Sequence, residues 1–78
     1  MAVLRLFASA REAAGTDRAE IEAATVGEML DEARRRYGES FTAVLATCRV
    51  WCNGEPATAD DPVAPGDEVA VLPPVSGG

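Results

Sequence analysis

The first eight residues alternate in a way that predicts a β-strand with one face in the core. The face expected to point inward carries Leu4, Leu6 and Ala8, and the opposite face carries Val3, Arg5 and Phe7.

A second strand is predicted over residues 18–23, where the period of two returns with Ala19, Ile21 and Ala23 inward. Between the two strands, "SAREAAG" predicts a single helical turn that ends at Gly15. Because this connection is short, we expect the two strands to form an antiparallel pair.

Residues 25–37 have the spacing of an amphipathic helix. Thr25 and Glu28 match a capping box, in which the threonine hydroxyl accepts a hydrogen bond from the amide of residue 28 and the glutamate reaches back. Gly38 supplies a stop signal. The apolar positions at helical spacing are Val26, Met29, Leu30, Ala33 and Tyr37. After the stop, a short second helical segment is predicted to contain Phe41, Val44 and Leu45.

Two further strands are predicted in the C-terminal half. "CRVWCNGE" is a strand that enters a turn at Asn53-Gly54, which is a strong hairpin signal. In this strand Cys48, Val50 and Cys52 share one face, and Arg49 and Trp51 share the other. A turn at residues 65–67 precedes the final strand, in which Val69 and Val71 point inward.

The order of these elements is strand, strand, helix, strand, short elements and strand. A right-handed crossover through the helix places the strands in one mixed sheet. The sequence therefore predicts an α+β protein with a ubiquitin-like β-grasp fold, in which a mixed sheet packs on one main helix. We expect this domain to span residues 1–72, with residues 73–78 as an extended C-terminal tail. The sheet face expected to pack on the helix carries Leu4, Leu6, Ile21, Val50, Val69 and Val71.

The tail follows from the closing sequence "LPPVSGG". Pro73 and Pro74 cannot donate to a sheet ladder, so we expect a stiff arm that projects at most about 20 Å. Glycine has no Cβ, so Gly77 and Gly78 can pass through a narrow channel and approach a nucleotide closely. A terminal carboxylate is ionised and a poor electrophile, so another protein must activate it, most simply as an acyl-adenylate.

Composition excludes several classes of function. The net charge of −6 disfavours nucleic acid and anionic membranes as partners, because phosphate contacts need clustered cations. We find no pattern of a signal peptide or of a membrane span, so we expect a cytoplasmic protein.

Histidine is absent, which removes the usual general base and the commonest metal ligand, and we expect neither a metal nor a bound cofactor. All seven cations are arginine, so the chain cannot be extended through side-chain amines of its own.

The two cysteines, Cys48 and Cys52, are expected to be buried small hydrophobic residues rather than a sulfur-handling pair. On one strand their Cα atoms would lie about 13 Å apart, and a disulfide requires less than about 7 Å. No neighbouring histidine or lysine is present to lower either thiol pKa. We therefore expect neither cysteine to carry transferred sulfur.

Three segments resemble a known family. "RLFASAREAAGTD", "CNGEPA" and "PVAPGDEVAVLPPVSGG" are similar to the small subunit of molybdopterin synthase (the MoaD family), a β-grasp sulfur carrier. Together they span nearly the whole chain in the right order. The N-terminal strand followed by "REAAGT" distinguishes this family from the shorter carriers of the thiamine pathway.

The resemblance implies that the tail carries the activity. Gly78 would be adenylated and converted to a thiocarboxylate, and Val75, Ser76 and Gly77 would thread the active-site channel of a partner. The implied partners are a MoaE-like large subunit of molybdopterin synthase and a MoeB-like adenylating enzyme, which uses the ATP. The chain would be a sulfur-carrying subunit with no active site of its own.

The alternation of side chains along the strands also predicts a docking surface. Phe7 and Leu72 point away from the helix, and they lie beside the root of the tail if the first and last strands are parallel and adjacent. Trp51 extends this apolar patch, and Pro73 and Pro74 complete the expected partner interface.

Other functions remain open. Related carriers of the same fold supply sulfur for cysteine, thiamine or tRNA thiolation, and a ubiquitin-like modifier joins its tail to lysines of target proteins. An acyl carrier protein is disfavoured, because it needs an Asp-Ser-Leu setting at a helix start, and Ser40 lies in "GESFT".

Overall fold

Five strands and two helices make up residues 1–73, the part of the chain that this computed structural model describes. The strands are β1 (Ala2–Leu6), β2 (Arg18–Ile21), β3 (Arg49–Cys52), β4 (Glu55–Pro56) and β5 (Glu68–Leu72). The helices are α1 (Ala8–Ala14) and α2 (Val26–Leu45). Of the predicted tail, only Pro73 falls within the described residues.

The strands form one mixed sheet in the order β2-β1-β5-β3-β4. β1 pairs antiparallel with β2 and parallel with β5, and β3 is antiparallel to both β5 and β4. The first and last strands are therefore neighbours at the centre of the sheet. With α2 packed on one face, this arrangement is the ubiquitin-like β-grasp that the sequence predicts.

The core lies between α2 and one face of the sheet. The buried side chains of the strands are Ala2, Leu4, Leu6, Ile21, Val69 and Val71, and those of α2 are Val26, Met29, Leu30, Ala33, Phe41 and Leu45. Val50 is only half-buried but packs against the same cluster. Burial of each large apolar side chain contributes roughly 1.5–3 kcal/mol, so this face accounts for most of the stabilisation.

Ala8 departs from the predicted pattern. It is exposed rather than inward, because β1 ends at Leu6 and the chain turns into α1 at a positive φ of 51°. The predicted helical turn is confirmed and is longer than one turn, and Gly15 ends it with a φ of 79°.

Both predicted signals of the main helix are confirmed. The amide of Glu28 donates to Thr25 Oγ1 at 3.1 Å, and Glu28 Oε1 accepts from the amide of Ala24 at 3.0 Å. At Gly38, with φ 85° and ψ −164°, α2 kinks, and the second helical arm brings Phe41 and Leu45 into the core. Neither helix of the described part has the length and apolarity that crossing a membrane requires.

The predicted turn at Asn53-Gly54 joins β3 to β4 as a hairpin. Both residues have positive φ, 50° and 85°, as in the two-residue turns that match strand twist. Asn53 Oδ1 also accepts a hydrogen bond from the amide of Glu68 at 3.0 Å, which fixes the hairpin against β5.

Candidate functional site

The sheet face opposite α2 is the open face, and strand register arranges its side chains in three rows. The central row crosses all five strands as Arg18, Arg5, Ala70, Trp51 and Pro56. The tail-end row lies where β5 ends and consists of Phe7, Leu72 and Arg49. The far row consists of Glu20, Val3 and Glu68.

Phe7 and Leu72 lie side by side at the root of the tail. Leu6 pairs with Val71, and the amide of Phe7 continues this ladder by donating to the Val71 carbonyl at 3.2 Å. Phe7 is 37% exposed and Leu72 half-buried, and neither belongs to the core cluster. Both side chains therefore point away from α2, as the alternation along the strands predicts. Pro73 follows Leu72 directly, so the chain leaves the sheet beside these two residues.

Trp51 lies one row away from this pair. It is half-buried and pairs in register with Ala70 on one side and Pro56 on the other. A shallow groove of about 330 Å³ borders Trp51 at the sheet edge and is also lined by Arg49, Pro56 and Ala57. The apolar surface thus continues from the root of the tail toward β4.

Arg5 connects the apolar surface to the charged far row. Its guanidinium lies 5.6 Å from the centroid of the Phe7 ring, and its Nη1 lies 3.3 Å from Glu68 Oε2. The two charged side chains are 38% and 53% exposed, so the ion pair contributes at most about 1 kcal/mol. Its effect is to hold the Arg5 side chain alongside Phe7.

Both cysteines are free thiols that pack against the core as small hydrophobic residues, but they are less buried than expected. Cys48 and Cys52 are half-buried against the core, because β3 lies near the edge of the sheet and β4, its neighbour, has only two residues. Burial raises the pKa of the Cys48 thiol. Burial, and then the carboxylates of Asp67 and Asp61, raise the pKa of the Cys52 thiol. Neither site favours the reactive thiolate.

The predicted functional tail falls outside the described residues. Pro74, Val75, Ser76, Gly77 and Gly78 all belong to it, so their roles stay predictions. Within residues 1–73, no group of three or more His, Cys, Asp or Glu side chains is placed to hold a metal ion.

The position of the open-face arginines beside the apolar patch was not predicted from the sequence. Arg18 adjoins Arg5 across β1 and β2, and Arg49 adjoins Leu72 across β3 and β5. The alternation within each strand already placed these arginines on the outward face. Only the register between strands brings them to the apolar patch.

Several solved structures are similar to this chain at 30% identity or more. SAMP1 from Haloferax volcanii is 34% identical, with 99% of this chain and 98% of that chain covered and a TM-score of 0.79. A protein described as molybdopterin converting factor subunit 1, from Pyrococcus furiosus, is 30% identical, with 95% and 97% covered and a TM-score of 0.84.

A third structure is a complex of subunits 1 and 2 of the molybdopterin-converting factor from Helicobacter pylori. The matching chain is 23% identical, with 99% of this chain and 97% of that chain covered and a TM-score of 0.75, so the likeness concerns the fold alone. Among curated proteins, none matches this chain.

The model of the ThiS family matches residues 4–78, which includes the diglycine. This match and the two similar structures confirm the resemblance that the three sequence segments indicate. The chain therefore belongs to the ThiS family of ubiquitin-like sulfur-carrier proteins.

Proposed function

We propose that this protein is the small subunit of molybdopterin synthase, a carrier that delivers sulfur from a thiocarboxylate on Gly78. The family match extends to Gly78, and the similar protein from Pyrococcus furiosus is described as subunit 1 of a molybdopterin converting factor. In this proposal Val75, Ser76 and Gly77 pass through the channel of the large subunit and present Gly78 to its active site.

The observation that carries the proposal is the parallel pairing of β1 with β5. It brings Phe7 and Leu72 together at the point where the chain leaves the sheet at Pro73. A partner that contacts this apolar pair is at once in position to receive the tail. Docking beside the root of the tail also reduces the entropy that the tail loses on entering a channel.

The chemistry needs an activating enzyme and a sulfur donor. The Gly78 carboxylate attacks the α-phosphorus of ATP, which forms an acyl-adenylate and releases pyrophosphate. Hydrosulfide then attacks the acyl carbon, so a C–S bond forms and the C–O bond to AMP breaks. The product is a thiocarboxylate, and no electrons are exchanged. The chain contains no histidine to act as a base, so we assign proton transfer to the partners.

Delivery of the sulfur regenerates the carrier. The thiocarboxylate sulfur adds to an electrophilic double-bonded carbon of the pterin precursor. The new C–S bond forms as the π bond of that carbon breaks, and the π electron pair moves to the adjacent atom, which takes up a proton. The product is a thioester between carrier and acceptor. Water then cleaves the acyl C–S bond, which leaves the sulfur on the acceptor and returns a carboxylate to Gly78. A MoeB-like enzyme would perform the adenylation, and a MoaE-like large subunit would bind the precursor.

Substitution of Phe7 or Leu72 tests the docking part of the proposal. We expect Phe7→Ala or Leu72→Ala to weaken binding to the large synthase subunit of the same organism by more than about 1 kcal/mol, as loss of a buried interface anchor does. Both variants should keep the fold, because neither side chain contributes to the core cluster. Isothermal titration calorimetry measures the affinity, and circular dichroism checks the fold.

Glu20→Ala is the matched control, since Glu20 is exposed and lies in the far row, on the edge strand β2. It should bind with unchanged affinity. If Glu20→Ala weakens the complex while both apolar variants bind normally, the partner docks on another surface.

A second candidate is a protein modifier, which the 34% identity to SAMP1 of Haloferax volcanii, a protein described as small archaeal modifier protein 1, favours. The same adenylated Gly78 would then form an amide with a lysine of a target protein. This chain has no lysine, so it could be attached to targets but could not accept a second copy on a side chain. Thiolation in the cysteine, thiamine or tRNA pathways is a further variant of sulfur delivery.

One reconstitution separates these functions. Thiocarboxylated carrier is mixed either with the large subunit and the pterin precursor, or with a cell extract and ATP. Sulfur transfer to the precursor supports the synthase role. Attachment of the carrier to lysines in the extract, with no transfer to the precursor, would support the modifier role instead.

A further inference from the structure

The open face differs in charge from the protein as a whole. Its strand residues include three arginines and two glutamates, whereas the chain has a net charge of −6. The arginines occupy the central and tail-end rows, and the glutamates occupy the far row. The positive charge is therefore concentrated around the apolar residues that adjoin the root of the tail.

Two of these arginines lack an internal partner among residues 1–73. Arg18 and Arg49 are exposed, and no described carboxylate lies within 4.0 Å of either guanidinium. By contrast, the arginines of α2 are all in ion pairs, Arg34 with Asp31 and both Arg35 and Arg36 with Glu32. Arg18 and Arg49 on the open face are thus available to an external carboxylate.

The arrangement of Arg18 is unfavourable in the isolated domain. It lies directly opposite Arg5 in the antiparallel β1–β2 pair, and like charges in such positions are destabilising. Glu68 compensates Arg5 at 3.3 Å but makes no contact with Arg18. A carboxylate from outside the chain would relieve this repulsion.

Arg49 holds the position closest to the tail. It pairs in register with Leu72, the last residue of β5, and stands in the tail-end row with Phe7. A partner that covers Phe7 and Leu72 must also cover Arg49. An arginine desolvated in this way is costly unless it meets an acceptor, and carboxylates bind the guanidinium fork best.

We propose that the partner surface that binds the open face carries carboxylates opposite Arg49 and Arg18, on either side of an apolar centre that receives Phe7, Leu72 and Trp51. This inference rests on the proposed function, in which the large synthase subunit binds this face. Arg49 is then a specificity-determining residue. The acidic protein as a whole would approach a basic partner, and the arginines would select the one orientation in which the tail points at the channel.

The test measures binding of the large synthase subunit to charge-reversal variants at two salt concentrations. We expect Arg49→Glu to weaken binding about tenfold or more at about 0.05 M salt, and Arg18→Glu by a smaller factor, because reversal places like charges together at the interface. Both effects should shrink at about 0.5 M salt, where exposed charges are screened. Arg35→Glu is the matched control, since it makes the same change of charge on α2, away from the open face.

Three results would contradict the inference. If Arg49→Glu and Arg35→Glu weaken binding equally, only the total charge matters and the inference is wrong. If Arg49→Glu tightens binding, the partner surface is basic and the inference is again wrong. If the unaltered protein forms no complex with the large subunit, the proposed function itself fails, and the inference with it.

Discussion

At the scale of single residues, the two cysteines are the natural rivals of Gly78 as the sulfur-bearing group, because thiols are the usual carriers of sulfur. Their surroundings argue against this role. The Cys48 Sγ donates to the Val44 carbonyl at 3.3 Å, and burial raises the pKa of both thiols. Both are therefore protonated and poorly nucleophilic at neutral pH.

The double variant Cys48→Ala/Cys52→Ala tests this assignment. We expect it to form the thiocarboxylate at a rate within about twofold of the unaltered protein, because only the thiolate form of a cysteine handles sulfur. Intact-mass spectrometry during incubation with the activating enzyme, ATP and sulfide measures that rate. A double variant that folds but cannot be thiocarboxylated would contradict the assignment of sulfur carriage to the tail alone.

The sequence predicted the sheet face on which each strand residue lies. Side chains alternate between the two faces of a strand, so the face of every residue follows once the core face is known. Leu4, Leu6, Val69 and Val71 were assigned correctly for this reason. Ala8 was not, because nothing in an alternating pattern marks the residue at which the strand ends. The half-burial of the cysteines also escaped prediction, since it depends on how far the neighbouring strand extends.

At the scale of elements, the kink in α2 has a clear cause in one residue. Gly38 has a φ of 85° and a ψ of −164°, a conformation open essentially to glycine alone. The kink redirects the chain so that Phe41 packs in the core, where its ring meets that of Tyr37 edge to face at 5.2 Å.

We expect Gly38→Ala to lower the free energy of unfolding by about 2–3 kcal/mol through backbone strain. A Cβ at this position would meet no atom within 4 Å, so steric overlap is not involved. Gly15→Ala is the matched control, because it also has open space around it but has the milder left-handed φ of 79°. Gly15→Ala should lower the free energy of unfolding by only about 1 kcal/mol. Urea unfolding measures both; a Gly38→Ala variant as stable as the unaltered protein would mean that the kink does not require glycine.

The elements themselves were largely predictable. Capping at Thr25, the stop at Gly38 and the turn at Asn53-Gly54 are local signals. Thr25 and the turn mark element boundaries in the structure, and Gly38 marks the kink within α2. The long-range pairing was predictable only in outline. The crossover rule gives a mixed sheet, but the exact partners, such as Arg49 with Leu72, follow from packing across distant parts of the chain.

At the scale of the whole molecule, the two faces of the sheet have separate tasks. One face packs on α2 and holds the fold together, and the open face is the one that we propose contacts a partner beside the root of the tail. This division lets substitutions on the open face change binding without disturbing the core. It also explains why the site could be predicted only in part. Periodicity identifies the outward residues, but their grouping into rows depends on strand register.

The central claim is that Gly78 carries the transferred sulfur, and intact-mass spectrometry tests it most directly. The protein is incubated with ATP, its activating enzyme and sulfide, alongside a variant with one residue added after Gly78. We predict a gain of about 16 Da, the exchange of one oxygen for sulfur, localised to the C-terminal residue of the unaltered protein and absent from the extended variant. An extended variant that still gains this mass, with its extension intact, would contradict the account.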